Sequence, residues 1–345
     1  MKVLITGATG LLGGHLIKEL QQRGEEIRAL VLPVENADKL VKQGVEVVRG
    51  DITDASTLGS AVRGVDLIFH LAAMMGVWRP IEDYRLVNVV GTENLYRAAQ
   101  TARVRRFVHT STHCVYGLGH GRYLTENDPL RPDPDQYSLT KTEGDRLVRR
   151  LMLTSDVETV VLRPGSFFGP GDRLNFGRMA QKMKDGKGVL LGRGDNALPF
   201  CYITDVVQGF MLAAYHENAP GNVYNVTNDR PLTQKEMFDT TADAVGGIRP
   251  TRHIPYLPIY YGSMVAETAA NLSRTKPLFT LHGAKMFGTD NRHSIDKARR
   301  ELGFEPRVDL REGIKLAAHW FNAGGMAQPS VTQSSQNAPL AGTHK

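Results

Sequence analysis

Cysteine is scarce. Among 345 residues only Cys114 and Cys201 are thiols, too few for a disulfide scaffold or a cysteine-rich zinc site. Long apolar runs are missing as well. None reaches the ~18 residues of a spanning helix, so no span is expected. Met1-Lys2 opens directly onto a strand-like run, so no secretory leader is expected. Charge of one sign is barely in excess: 42 Lys and Arg against 36 Asp and Glu leave +6. The basic residues are scattered among acidic ones, which argues against a nucleic-acid face. Arg103-Val104-Arg105-Arg106 reads as a solvated turn. Internal repeats are absent. His109 and His113 have no carboxylate pair beside them, so no metal is expected. These absences leave a reduced, cytoplasmic chain with a length prior near two lobes at roughly 150 residues each.

Glycine, by contrast, is plentiful at 35 residues, which points to tight turns or to backbone approached by a ligand. Val3-Leu4-Ile5 is an apolar run that stops at Thr6-Gly7, as a buried parallel strand does. Gly13 to Gln22 has helical spacing that puts Leu12, Leu16, Ile17 and Leu20 on one face. Further strands are expected at 27–32, 45–48, 67–71, 107–109 and 159–162, and helices at 55–62, 82–102 and 137–152. This alternation predicts an α/β chain with a parallel sheet covered by helices on both faces. After Arg163-Pro164-Gly165 the alternation is lost. The expected division is a first domain at 1–168, rejoined by about 200–226, then a smaller C-terminal substrate lobe from 169–199 and 227–322. Residues 323–345 lack the apolar surface to order themselves and are expected to be a disordered tail.

Gly7-Ala8-Thr9-Gly10-Leu11-Leu12-Gly13 lies between the first strand and the first helix. Glycines there let backbone N–H groups approach a phosphate, and the helix N-terminus adds a positive dipole. The pattern marks a dinucleotide site in a Rossmann-type doubly wound sheet. An acid at the tip of the second strand bonds both ribose hydroxyls, whereas an arginine there receives a 2′-phosphate. Here the strand ends at Leu32. Glu35, the nearest acid, reads as a solvated loop residue, and Arg28 lies too early. The missing arginine leans toward NAD and leaves NADP open.

Tyr137-Ser138-Leu139-Thr140-Lys141 puts a phenol and an ammonium one helical turn apart. A nearby cation lowers a phenol pKa from ~10. Such a phenol can take a proton from an alcohol while hydride leaves its carbon. Thr110-Ser111-Thr112 ends a strand, on the carboxyl edge where open α/β sheets bind ligands.

Together these segments resemble the extended short-chain dehydrogenase/reductase family, also called the NAD-dependent epimerase/dehydratase family. The nearest members are hydroxysteroid dehydrogenase-like and dihydroflavonol reductase-like. The matching stretches include Ile5 to Gly13, Gly50 to Asp54, His70 to Ala73 and Asn88 to Thr92. They continue with Thr110 to Gly117, Tyr137 to Lys141, Leu162-Arg163-Pro164 and Ser294 to Phe304. The resemblance implies that Gly7, Gly10 and Gly13 cradle the pyrophosphate, with Thr9, Leu11 and Leu12 also on the cofactor. It implies that Asp51 and Ile52 contact the adenine and that Leu71, Ala72 and Ala73 line the groove. Pro164 and Gly165 would sit beside the nicotinamide. Tyr137 would be the acid/base. Lys141 would bind the nicotinamide ribose and depress the tyrosine pKa. Thr112 matches the family's Ser/Thr better than Ser111. Asn88 would tie helix to active-site loop. Helices near 82–102 and 137–152 would form a homodimer interface.

The substrate is a separate question. Sugar-nucleotide members show an arginine before the strand that here reads Cys201-Tyr202-Ile203, and this chain has Leu198-Pro199-Phe200. Met75, Trp78, Phe167 and Phe168 are candidate apolar walls, joined by Met74 and Val77, and His113 is a candidate substrate contact. The expected function is an NAD(P)-dependent oxidoreductase interconverting a secondary alcohol and a ketone on a fairly apolar skeleton. The alternatives are a sugar-nucleotide epimerase or dehydratase with tightly bound NAD, and a non-catalytic cofactor-sensing module.

Overall fold

The structure, a computed structural model, describes residues 1–273, 277 and 280–327. In chain order the strands are β1 (Lys2–Thr6), β2 (Glu26–Val31), β3 (Glu46–Arg49), β4 (Leu67–His70), β5 (Arg106–Thr110), β6 (Tyr123–Leu124), β7 (Glu158–Pro164), β8 (Ser166–Phe168), β9 (Leu190–Leu191), β10 (Phe200–Tyr202), β11 (Asn222–Val226), β12 (His253–Ile254) and β13 (Arg292–His293). Seven of them form one parallel sheet in the order β11-β7-β5-β4-β1-β2-β3. The winding direction reverses between β1 and β4. That reversal opens a crevice at the carboxyl edge of the sheet, where ligands of such folds bind.

The two faces of the sheet follow the two-residue strand period. Val3 and Ile5 point into a core with Leu16, Ile17 and Leu20 of the helix Leu11–Gln22 and Phe210 of the helix Ile203–Tyr215. Leu4, Ile68, Phe107 and Val161 face the other way, onto Leu95, Tyr96 and Val148. The first core runs on without a break into the C-terminal lobe through Phe168, Phe176, Phe200 and Phe238.

The single helix expected at 82–102 is three pieces: Ile81–Arg85, a wider π turn at Leu86–Gly91, and Thr92–Thr101. The extra residue in that turn goes with a side-chain task. Asn88 turns inward, and Gly91 leaves room for Ile52, whose Cγ1 would lie 2.7 Å from a Cβ there. π turns of this kind mark functional sites more often than chance. The helix expected at 55–62 begins as a 3-10 turn at Ala55–Thr57 and continues as Leu58–Val62.

The C-terminal lobe is built on the helices Phe176–Lys184, Gln234–Val245, Tyr256–Ser273 and Leu281–Gly288, with three two-stranded pairings, β8 with β10, β9 with β12 and β6 with β13. Toward the end of the described residues Gly325 is buried and accepts from Arg173 Nε at 3.1 Å. The rest of the expected tail lies outside the described residues. Among those residues no helix is long and apolar enough to cross a membrane.

Candidate active site

The glycine turn follows β1 and sits at the crevice. Gly7 has φ +71°, in the left-handed region, and a Cβ there would meet Ala72 N at 2.9 Å. At Gly13 a Cβ would lie 2.5 Å from Gly7 O and 2.7 Å from Ala8 Cα, so this glycine lets the helix Leu11–Gln22 sit directly on the turn. That helix starts at Gly10 with no side-chain cap and no acid in its first turn. Its free N–H groups therefore fit a phosphate. Leu12 is buried beneath, in the core.

Glu35, read from sequence as a solvated acid, is drawn to this turn, where Thr9 Oγ1 donates to its carboxylate. Arg49 holds the segment by donating to the backbone carbonyls of Leu32 and Glu35. Arg28 is committed elsewhere: it is buried, donates to Ser60, Ala61 and Arg63 carbonyls, and pairs with Glu46. Asp51 accepts from Thr53 N–H at 2.8 Å, and Ile52 is buried against Gly91.

Leu71, Ala72 and Ala73 continue β4 along the crevice. Leu71 N–H donates to Thr6 O, and Ala72 N–H to Thr6 Oγ1, both at 3.2 Å. Asn88 joins this stretch to the Tyr137 helix, Gln136–Leu151. Its Oδ1 accepts from Met74 N–H at 2.8 Å, and its Nδ2 donates to Met74 O and to Thr140 Oγ1 at 3.0 Å.

Asp135 caps the N-terminus of that helix by accepting from Ser138 N–H at 2.9 Å. Tyr137, in the first turn, packs beside Cys114 and Met286. Ser111 and Thr112 have different partners. Ser111 Oγ donates to Asp145 Oδ2 at 2.7 Å and is spent. Thr112 reaches the Tyr137 phenol and lowers its pKa, a smaller effect than burial, which pushes the phenol well above its ordinary value. Lys141 is buried and donates to Thr110 O at 2.5 Å. Burial lowers its pKa to about 8, opposed by the Asp145 carboxylate. With burial the largest cause, the net shift of the phenol in the protein alone is upward.

Asp145 and its pairing with Arg163 were not read from the sequence. Both are fully buried, and Arg163 donates to Asp145 through Nε at 2.9 Å and Nη2 at 2.8 Å. The pair locks the Tyr137 helix to β7. The signal was there: Asp145 follows Lys141 by four residues, and Arg163 stands in the Leu162-Arg163-Pro164 stretch. Pro164 O faces His113 Nδ1 at 3.2 Å, and Gly165 is enclosed, with Thr227 Oγ1 2.4 Å from where a Cβ would be.

The expected substrate walls separate. Met75 is exposed, and Trp78 and Phe167 are half-buried. Phe168 corrects the expectation: its ring has no exposed surface and stacks on Phe176 between Phe200 and Tyr202, so it belongs to the core. His113 is likewise enclosed, its ring 5.2 Å from His293, and burial lowers its pKa to about 4. Leu198 is buried.

Residues 3–227 match the NAD dependent epimerase/dehydratase family. The chain belongs to that family. Like its relatives, this family member is an NAD-dependent enzyme of the extended short-chain type. It is 31% identical over 332 residues to a 2-alkyl-3-oxoalkanoate reductase of Stenotrophomonas maltophilia, covering 91% of this chain and 98% of the relative. It is 33% identical to a 3 beta-hydroxysteroid dehydrogenase/Delta 5-->4-isomerase of Mycobacterium tuberculosis, covering 91% and 88%. Among solved structures it resembles MoeE5 in complex with UDP-glucose and NAD, with TM-score 0.74 and 26% identity over 94% of this chain and 99% of that one.

Proposed function

We propose that the chain is an NAD-dependent dehydrogenase/reductase that interconverts a secondary alcohol and a ketone on a fairly apolar substrate. The observation that carries this reading is the convergence of Thr112, Tyr137 and Lys141 at the carboxyl edge of the sheet, beside an uncapped helix N-terminus. Bound NAD supplies the hydride acceptor, and its reduced form the donor. Gly7, Thr9, Gly10 and Leu11 hold its phosphates, Leu71, Ala72 and Ala73 line its groove, and Asp51 and Ile52 meet its adenine. Pro164 and Gly165 flank the nicotinamide end. Glu35 beside the glycine turn favours ribose hydroxyls and repels a 2′-phosphate, which supports NAD over NADP.

In ketone reduction Tyr137 Oη donates to the substrate oxygen and gives up its proton as charge develops there. Thr112 Oγ1 donates a second hydrogen bond to the same oxygen. Lys141 holds the ribose and brings positive charge toward the phenol. In the protein alone burial keeps the phenol protonated, the state needed to act as an acid.

The apolar substrate class rests on Leu198. A nucleotide diphosphate needs cations in its cleft, and the three arginines that could rebuild such a site are engaged. Arg173 donates to Gly325 O, Arg193 pairs with Asp195, and Arg292 pairs with Asp290. Both relatives named above for ketone or steroid chemistry point the same way. The second reading, a sugar-nucleotide epimerase, is favoured by the likeness to MoeE5, whose complex holds UDP-glucose. The same proposal takes the protein as a cytoplasmic homodimer through helices near 82–102 and 137–152. A thermal-shift titration with NAD present decides the substrate class: pregnenolone or cyclohexanone raises Tm under the first reading, UDP-glucose under the second.

A further inference from the structure

Two carboxylates stand immediately before the Tyr137 helix. Asp135 Oδ1 caps the helix through Ser138 N–H, and Asp133 Oδ2 accepts from Leu118 N–H at 3.0 Å. Their remaining oxygens turn toward a distant part of the chain, the helix Leu281–Gly288. Lys285 Nζ pairs with Asp133 Oδ1. His282 Nδ1 lies 3.5 Å from Asp135 Oδ2, and both atoms are buried with no closer partner. The two cations are three residues apart, one turn of the same helix. Met286 on that helix packs with Cys114 and Leu118, and Tyr137 and Phe287 pack against the cluster. The helix thus grips the acids at one end and borders the phenol with the other.

We propose that His282 is a positioning residue: with Lys285 it makes a two-point clamp that seats Met286 and Phe287 over Tyr137, and its charge sets the pH range over which the clamp holds. This rests on Tyr137 as the acid/base. The groups facing His282 come from every neighbouring element. Asp135 and Asp133 lie before the Tyr137 helix, Glu267 reaches across from Tyr256–Ser273 while accepting from Leu281 N–H at 2.8 Å, and His113 lies behind. Lys285 is on its own helix. Burial lowers the His282 pKa, but Asp135, then Asp133 and Glu267, outweigh it and leave the value raised. Burial likewise raises the Asp135 carboxyl, and His282 with the Ser138 N–H brings it below its ordinary range. A raised histidine keeps its pairing at low pH and loses it as pH rises through its own value. The Lys285–Asp133 pair is separate from the histidine, so one of the two points releases and the other holds.

The test uses full-length protein with NADH, and cyclohexanone as the ketone, from about pH 6 to about pH 9, bracketing histidine titration. KM is expected to rise several-fold as pH passes His282, with a smaller change in kcat. His282→Gln should show the high-pH KM throughout, and His282→Lys the low-pH KM throughout. Hydrogen exchange over 136–141 and 281–288, with NAD bound, gives the same comparison without turnover: protection should fall with pH in the wild type only. Identical pH profiles in the wild type and His282→Gln, in both measurements, overturn the clamp. Full activity in Tyr137→Phe overturns the acid/base reading instead, and hydrogen exchange then still decides the clamp.

Discussion

Tyr137 and Lys141 are adjacent on one helix face, yet their surroundings set their charges differently. Tyr137→Phe should lower kcat by about 10²–10⁴, the usual contribution of a general acid–base group, while NAD affinity stays within a few-fold, because the glycine turn is elsewhere. Initial rates and calorimetric NAD titration check both halves. Lys141 makes a second prediction. Its pKa near 8 lies below the ~10.4 of an unfolded lysine, so the folded state releases the proton first. Below pH 8 the buried charge costs the fold about 3 kcal/mol, and the cost fades as pH rises toward the unfolded value. Lys141→Met should therefore lose activity and raise Tm by a few degrees at neutral pH. A lower Tm in calorimetry would show that the ammonium stabilises the fold. The Tyr-Lys spacing was legible in the sequence because the helix period alone brings the pair together. The Asp145 contact that holds Ser111 was not, since Asp145 reaches across from another element.

At the scale of elements, the buried Asp145–Arg163 pair fixes the Tyr137 helix to β7. Arg163→Met would leave the enclosed Asp145 charge with the Ser111 hydroxyl and the more distant Arg149 at 4.0 Å, and should destabilise by about 3–5 kcal/mol. The midpoint of urea unfolding measures this, and adding Asp145→Leu should recover much of the loss. At the glycine turn, Gly13→Ala would push a methyl into Gly7 O and Ala8 Cα, so weaker NAD binding is expected by calorimetry. The parallel strands could be read because each is a short apolar run ended by a polar or glycine signal. The short helix Asp38–Lys42 could not, because five residues carry too little periodicity. The π turn at Leu86–Gly91 was also invisible, since its cause is the tertiary grip of Asn88 on Met74 and Thr140.

Across the whole molecule, one sheet carries the glycine turn at its carboxyl edge, and the helix Leu281–Gly288 packs beside Tyr137 through Met286. The first lobe follows local rules of alternation and turn chemistry, which is why its order could be written from sequence. The second lobe depends on contacts distant along the chain, such as Asp133 with Lys285 and Asn225 with Ser294, and its apolar wall was partly misjudged: Phe168 lies in the core, whereas Met286, unremarked in sequence, borders the phenol. The proposed reaction is net redox chemistry at Tyr137 on an apolar substrate. Its most direct test follows cofactor absorbance while the wild type and Tyr137→Phe are given NADH with cyclohexanone or a ketosteroid, and UDP-glucose in parallel. One NADH should be oxidised per ketone reduced by the wild type, with almost none by Tyr137→Phe and no conversion of UDP-glucose. Conversion of UDP-glucose with no net change in cofactor, and inactivity toward both ketones, would contradict it.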